Sequence, residues 1–174
     1  LFKKGHTLFA LEAARDAAGQ QQTLIIVEGY FDAVALHQAG IRHVAATLGT
    51  ALTAEHIAVI RRFASNVVLL FDPDQAGVRA ALRTLDLFVN SGLSVKVVSL
   101  PEGDDPDTYV RQYGAEGFAA LHRAAPSLLD FAVEHSLRTA EAGTVEDRIR
   151  AVDAVLRILQ KSAHPIEREE RIRL

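Results

Sequence analysis

The sequence predicts an α/β protein with a parallel four-stranded sheet flanked by helices, followed by a helical region. Four apolar runs alternate with helical patterns over roughly the first 110 residues, an arrangement typical of βαβ units. The runs are continuously apolar, which indicates strands that are covered on both faces. No strand pattern follows Pro106. We therefore predict an N-terminal segment over residues 1–22, an α/β domain over 23–113 and a truncated helical subdomain over 114–174.

The elements follow in order along the chain. Strands are predicted at 23–27, 43–46, 66–71 and 94–99, the second being the weakest because it is short. A short amphipathic helix precedes the first strand, and Thr53 is a candidate N-cap for the helix before the third. The other helices are predicted at 31–38 with Gly40 after it, 78–89, 107–113, 116–123 and 127–136. A linker over 138–143 and a long helix from Thr144 complete the prediction.

The bulk composition narrows the possible functions. The chain lacks cysteine, which excludes disulfides and thiolate metal sites and fits a reducing cytoplasm. No apolar run approaches the ~18 residues that a membrane span requires. The net charge of −3 argues against a protein whose whole surface is basic and binds nucleic-acid phosphates. The chain also lacks methionine, even at position 1, so we expect a piece of a longer protein.

Acidic residues follow three of the four predicted strands. Glu28 comes directly after the first strand, with Asp32 four residues later. Asp72 and Asp74 follow the third strand. Asp104, Asp105 and Asp107 follow the fourth. Because ligand sites in open parallel sheets lie beyond the carboxyl ends of the strands, we expect these side chains to converge.

Converging carboxylates repel one another and need a bound cation or protons. Hard oxygen ligands without cysteine or clustered histidine favour Mg²⁺ or Mn²⁺ over Zn²⁺. Such ions bridge protein carboxylates to substrate phosphates. The pattern therefore predicts metal-assisted phosphoryl transfer with two or more ions. The alternative for each residue is a structural role, since aspartate and glutamate after strands are also common helix N-caps and turn residues.

Three segments carry a family resemblance. Residues 27–32 read VEGYFD and resemble the first Toprim motif in its primase form. Residues 72–77 read DPDQAG and resemble the second motif, while the DPD at 105–107 resembles a segment typical of bacterial primases. Residues 46–53 resemble a strand-end loop of the same family. The chain thus resembles the Toprim catalytic core of bacterial DnaG-type DNA primases over about residues 1–135, which implies a Toprim-like, Rossmann-like fold.

The resemblance assigns roles to the acidic residues. Glu28 matches the Toprim glutamate, a general acid/base or metal ligand. Asp72, Asp74, Asp105 and Asp107 match the metal-site aspartates, and Asp32 matches a further acidic position. Pro73 stands where the family usually has glycine, and its fixed φ constrains the backbone that orients Asp74.

Basic residues supply candidate contacts to nucleic acid or nucleotide. Lys3 and Lys4 resemble the basic entry to the primase core. Arg79 and Arg83 lie one turn apart on a predicted helix, where they either contact phosphates or form a solvated face. With only 6% aromatic residues, the sequence has no aromatic stripe suited to base stacking.

The resemblance implies a DNA-directed RNA primase that uses single-stranded DNA and ribonucleoside triphosphates in the bacterial cytoplasm, at the nucleoid. Zinc is expected only in a missing domain, and the replicative helicase only through a missing C-terminal domain. One alternative is a Toprim nuclease or topoisomerase fragment, although Tyr30, Tyr109 and Tyr113 are poorly placed for a nucleophile. The other alternative is a non-catalytic Toprim binding module. Such modules often lose acidic positions, whereas this chain keeps them.

Overall fold

The computed structural model describes residues 4–71, 75–88 and 91–141, together with 144–146, 149, 152, 153 and 156. Its four strands are all parallel: β1 (Thr23–Val27), β2 (Val44–Ala46), β3 (Asn66–Phe71) and β4 (Ser94–Ser99). The strand order is β2-β1-β3-β4. The predicted parallel four-stranded sheet is therefore confirmed.

Six α-helices lie within the described part of the chain. They are α1 (Leu11–Gln21), α2 (Tyr30–Gln38), α3 (Ala54–Ile60), α4 (Gln75–Phe88), α5 (Pro106–Ala124) and α6 (Leu128–Glu141). A short 3-10 turn at Lys4–His6 precedes them. Gly114 interrupts α5 with φ 64° and ψ −173°, so α5 consists of two helical pieces. This kink agrees with the two separate helices predicted at 107–113 and 116–123.

Two apolar layers cover the sheet, one on each face. Ile26, Val67 and Leu69 face a layer formed with α1, α3, α4 and the start of α6. Ile25, Val68 and Leu70 face the opposite layer, formed with α2 and α5. Successive strand residues point to opposite faces, so a strand covered on both sides must be apolar throughout. This double burial explains the continuous apolar runs in the sequence.

Several predicted boundaries differ from the structure, and at the C-termini of α3 and α6 the difference is three residues or more. Helix α3 ends at Ile60 rather than Phe63, because the next residues form tighter turns such as Phe63 N–H to Ile60 C=O at 3.1 Å. Helix α6 continues to Glu141, so the predicted linker over 138–143 begins too early. Residues 138–141 contain no glycine or proline that would stop a helix. Thr53 caps α3 as predicted, accepting a hydrogen bond from His56 N–H at 3.2 Å.

None of the helices in the described part of the chain has the length and apolar character that crossing a membrane requires. Beyond α6, Val145, Ile149, Val152 and Leu156 are helical and exposed. Their spacing matches the apolar face predicted for the helix that begins at Thr144. The proposed division at residue 113/114 coincides with the kink at Gly114 and stays a prediction.

Candidate active site at the carboxyl edge of the sheet

The strand order places a crevice between β1 and β3. The chain moves from β1 outward to β2 and then returns to β3 on the other side of β1. In open α/β sheets such a reversal of strand order marks the ligand-binding edge. Ile26 pairs with Leu69, so the carboxyl ends of β1 and β3 lie side by side. Glu28 follows β1 there, and Phe71 ends β3 directly before Asp72 in the sequence.

Glu28 is partly buried, and its Oε1 atom is buried completely. The residue lies between a strand whose five residues are all buried and Gly29, the N-cap of α2. Asp32 occupies the first turn of α2, where its Oδ2 accepts a hydrogen bond from Gly29 N–H at 3.1 Å. Asp32 therefore has a structural role at the start of α2, which lies directly after Glu28.

Asp105 is the N-cap of α5. Its Oδ1 accepts hydrogen bonds from the Thr108 backbone N–H at 2.7 Å and the Thr108 hydroxyl at 2.9 Å. Pro106 follows at the first helical position, where a missing N–H costs nothing. The hydrogen bonds from the backbone and side chain of Thr108 lower the pKa of Asp105. Asp105 therefore stays ionised at neutral pH while it caps the helix.

Asp107 is engaged by a neighbouring cation. Its Oδ1 accepts a hydrogen bond from Arg111 Nε at 2.7 Å, one turn further along α5. Both side chains are solvent-accessible, so this ion pair is of the weak surface type. Arg111 was not among the basic residues predicted for the site, although its spacing of four residues from Asp107 on a predicted helix could have indicated the pair.

The remaining predicted site residues are described only in part. Asp72, Pro73, Asp74 and Lys3 lie outside the described residues. Lys4 begins the 3-10 turn, and Arg79 lies in α4, but their side chains fall outside the description. Arg83 is exposed on α4. Among the residues that the structure describes, no three acidic or histidine side chains form a metal-holding group. The shared metal site thus stays a prediction that depends on Asp72 and Asp74.

An exposed aromatic cluster, which the sequence did not reveal, lies next to Glu28. We call Phe9, Tyr30 and Phe31 the ring cluster. The centroids of Tyr30 and Phe31 are 4.3 Å apart, and Phe9 meets Tyr30 edge-on at 6.0 Å. Phe31 is 71% exposed and Tyr30 47%. Backbone hydrogen bonds of Phe9 with Ala46 on β2, 2.8 and 3.0 Å long, hold the third ring in place.

The parallel sheet and its acidic carboxyl edge define a Toprim-type domain, and comparisons with known proteins agree. The Toprim-like family matches residues 25–110, and the family described as the DnaB-helicase binding domain of primase matches residues 129–174. The chain belongs to the bacterial DnaG-type DNA primase family. The second match lies within this chain, whereas the sequence-based expectation placed helicase contacts in a missing domain.

Several relatives carry the comparison over nearly the whole chain. The DNA primase of Clostridium acetobutylicum is 38% identical over 170 residues, covering 97% of this chain but 28% of that protein. The DNA primase of Escherichia coli is 35% identical over 164 residues, covering 92% of this chain and 28% of that protein. The chain therefore spans less than a third of these relatives.

Solved structures give the same answer for the fold. The RNA polymerase domain of Mycobacterium tuberculosis primase DnaG has a TM-score of 0.85 at 29% identity, covering 99% of this chain and 56% of that one. A DnaG primase catalytic domain bound to single-stranded DNA has a TM-score of 0.82 at 34% identity, covering 97% of this chain and 56% of that one. The Toprim-like fold predicted from the sequence is confirmed.

Proposed function

We propose that the intact protein containing this chain is a DNA-directed RNA primase. It synthesises RNA primers on single-stranded DNA by metal-dependent nucleotidyl transfer. The observation that carries the proposal is the position of Glu28 beside the end of β3, at the crevice where the strand order reverses. Relatives named DNA primase, similar over nearly the whole chain, support the same reaction.

Mg²⁺ or Mn²⁺ is the proposed cofactor, with two or more ions. The donor set consists of hard carboxylate oxygens, which these ions prefer. Glu28, Asp72, Asp74, Asp105 and Asp107 are the proposed ligands, and Asp32, four residues after Glu28, is proposed as a further acidic residue of the metal site. The lowered pKa of Asp105 fits this role, because only the ionised carboxylate is a good ligand.

The chemistry is mainly positioning. A metal held by these carboxylates would neutralise phosphate charge and so favour in-line attack of the primer 3′-hydroxyl on the α-phosphate of the incoming nucleotide, from which pyrophosphate leaves. Glu28 is proposed either to hold the metal or to accept the hydroxyl proton as a general base. Its buried Oε1 has a defined position between β1 and α2, which is what pre-organised catalysis requires.

Basic residues supply the proposed phosphate contacts. Lys3 and Lys4 precede the domain, and Arg79 and Arg83 lie on α4 after the second acidic pair. Arg83 is exposed and therefore accessible to a phosphate. Each such contact strengthens binding without reading sequence.

The proposed partners are single-stranded DNA, ribonucleoside triphosphates and the replicative helicase. The solved relative bound to single-stranded DNA supports the first, and the match of residues 129–174 to a helicase-binding family supports the third. We place the protein at the bacterial nucleoid, and we assign zinc to a part of the protein outside this chain.

One gel tests the proposal. The intact protein is incubated with single-stranded DNA, ribonucleotides and Mg²⁺ or Mn²⁺, with template and nucleotide labelled separately. The expected result is short labelled RNA together with uncut template DNA. Cut template without new RNA would instead assign the carboxylates to a nuclease, and neither product would favour a non-catalytic module.

Glu28→Gln tests the site itself. This variant should abolish primer synthesis while thermal unfolding changes little, because the side chain keeps its size. Glu116→Gln on the exposed surface of α5 is the matched control and should retain full synthesis. Full activity in Glu28→Gln would show that the site is misplaced.

A further inference from the structure

Phe9 of the ring cluster also borders an open groove. The groove encloses about 290 Å³ between α1 and α2, and it is bordered by Phe9, Ala13, Val34, His37 and Arg42. Val34 is 39% exposed and lies one helical turn after Tyr30. An apolar surface thus extends from the first turn of α2, beside Glu28, along the outer side of the helix.

A cationic side chain also borders this groove. Arg42 is exposed, and it makes no ion pair with any residue that the structure describes. His37 is held in place by a 2.9 Å hydrogen bond between its Nε2 and the carbonyl oxygen of Val44. The groove therefore has a positive charge on its border, and the exposed rings of Tyr30 and Phe31 are joined to it through Phe9.

We propose that this groove binds single-stranded DNA, with Phe31 stacking on a nucleobase and Arg42 contacting a backbone phosphate. Proteins that hold single strands combine exposed aromatic rings with cationic side chains in this way. The proposal rests on the proposed function and adds to it a path by which the template approaches the carboxylate edge.

The length of α2, which carries Tyr30 and Phe31 at its start and groove residues up to Gln38, favours a polymer over a single nucleotide. Helix α2 has nine residues, which corresponds to about 13 Å along its axis. At the ~3.4 Å per nucleotide of a fully stacked strand, this length accommodates at most about four nucleotides, and an extended strand would place fewer along it.

Tryptophan fluorescence tests the stacking directly. The chain contains no tryptophan, so Phe31→Trp introduces a single reporter at the most exposed ring of the cluster. Titration of this 174-residue variant with oligo(dT) should quench the fluorescence to saturation. Leu137→Trp on α6, where Leu137 is 47% exposed, is the matched control and should not respond. Absence of quenching in folded Phe31→Trp overturns the proposal.

Two further variants separate the ring from the charge. Phe31→Leu keeps an apolar side chain but removes the stacking face, and should weaken oligo(dT) binding roughly five- to 150-fold, from ~1–3 kcal/mol per stacked base. Arg42→Gln should weaken binding and reduce the slope of log K against log salt by about 1. Unchanged affinity in Phe31→Leu, or an unchanged slope in Arg42→Gln, refutes the corresponding contact.

The outcomes distinguish this inference from the proposed function. Quenching by ATP but not by oligo(dT) would assign the rings to the incoming nucleotide and overturn the template path. Primer synthesis by the intact protein without quenching would remove the inference and leave the primase proposal intact. Quenching by oligo(dT) in a protein that makes no RNA would retain the groove and reject the primase.

Discussion

Acidification should destabilise this protein through His43. The side chain is only 8% exposed, and its Nδ1 is buried without a hydrogen-bond partner among the described residues. Burial, together with the nearby His122 on α5 and His37 on α2, lowers the pKa of His43 from 6.5 to about 4. Its charged form is therefore much less favourable in the folded protein than in the unfolded chain.

The sign and size of the effect follow from proton linkage. Between pH 6.5 and 4 the unfolded chain binds a proton at His43 that the folded protein does not bind, so stability falls as the pH falls. At 1.36 kcal/mol per pKa unit, the loss from this group is about 2 kcal/mol at pH 5 and about 3 kcal/mol at pH 4. Above pH 6.5 the loss disappears.

Urea unfolding followed by circular dichroism at pH 7.5, 6, 5 and 4 measures this effect in the wild type and in His43→Leu. The variant removes the titrating group and the buried polar atom, so its stability should depend less on pH by about 3 kcal/mol over the range. His6→Gln, at an exposed histidine, controls for the loss of a histidine in general. Parallel pH profiles for the wild type and His43→Leu would refute the reasoning.

Three further predictions concern the residues around the candidate site. Asp105→Ala should lower the free energy of unfolding by about 1 kcal/mol, measured in urea, because α5 loses its N-cap. Asp105→Asn should keep most of that stability, since asparagine caps equally well, and yet weaken Mn²⁺ binding in a calorimetric titration; an unchanged isotherm would count against Asp105 as a ligand. Gly29→Ala would place a Cβ 2.6 Å from Asp32 Oδ2, so it should destabilise the protein by about 1 kcal/mol, and by less in an Asp32→Ala background. Equal costs in both backgrounds would exclude that contact as the cause.

The local pattern of apolar residues was sufficient to predict the strands of the sheet. Strands β1, β3 and β4 coincide with the predicted segments. Burial on both faces explains the apolar runs of β1 and β3, whereas β4 is less fully buried and contains Lys96. Helix ends were less predictable. The last turn before Phe63 tightens through i→i+3 hydrogen bonds, and helix-forming residues carry α6 on to Glu141. Neither feature has a distinct sequence signal.

The candidate site was predictable only where its parts are close in sequence. Glu28 follows β1 directly and Asp105 lies in the short segment between β4 and α5, so their place at the carboxyl edge could be inferred from the order of elements. The ring cluster could not, because Phe9 lies 21 positions before Tyr30 and meets it through a tertiary bridge to Ala46. An aromatic surface can be recognised in a sequence only when its residues repeat at helical or strand spacing. The three residues of this cluster do not repeat at such a spacing.

The structural and the metal-binding interpretations of Asp105 are compatible. Its Oδ1 accepts hydrogen bonds from both the backbone N–H and the hydroxyl of Thr108. The cap therefore fixes the carboxylate in one rotamer and keeps it ionised, the form in which it can bind a cation. A ligand that is already held in position loses less conformational entropy when it binds a metal. For this residue, the N-cap is best understood as a support that pre-organises the proposed metal ligand.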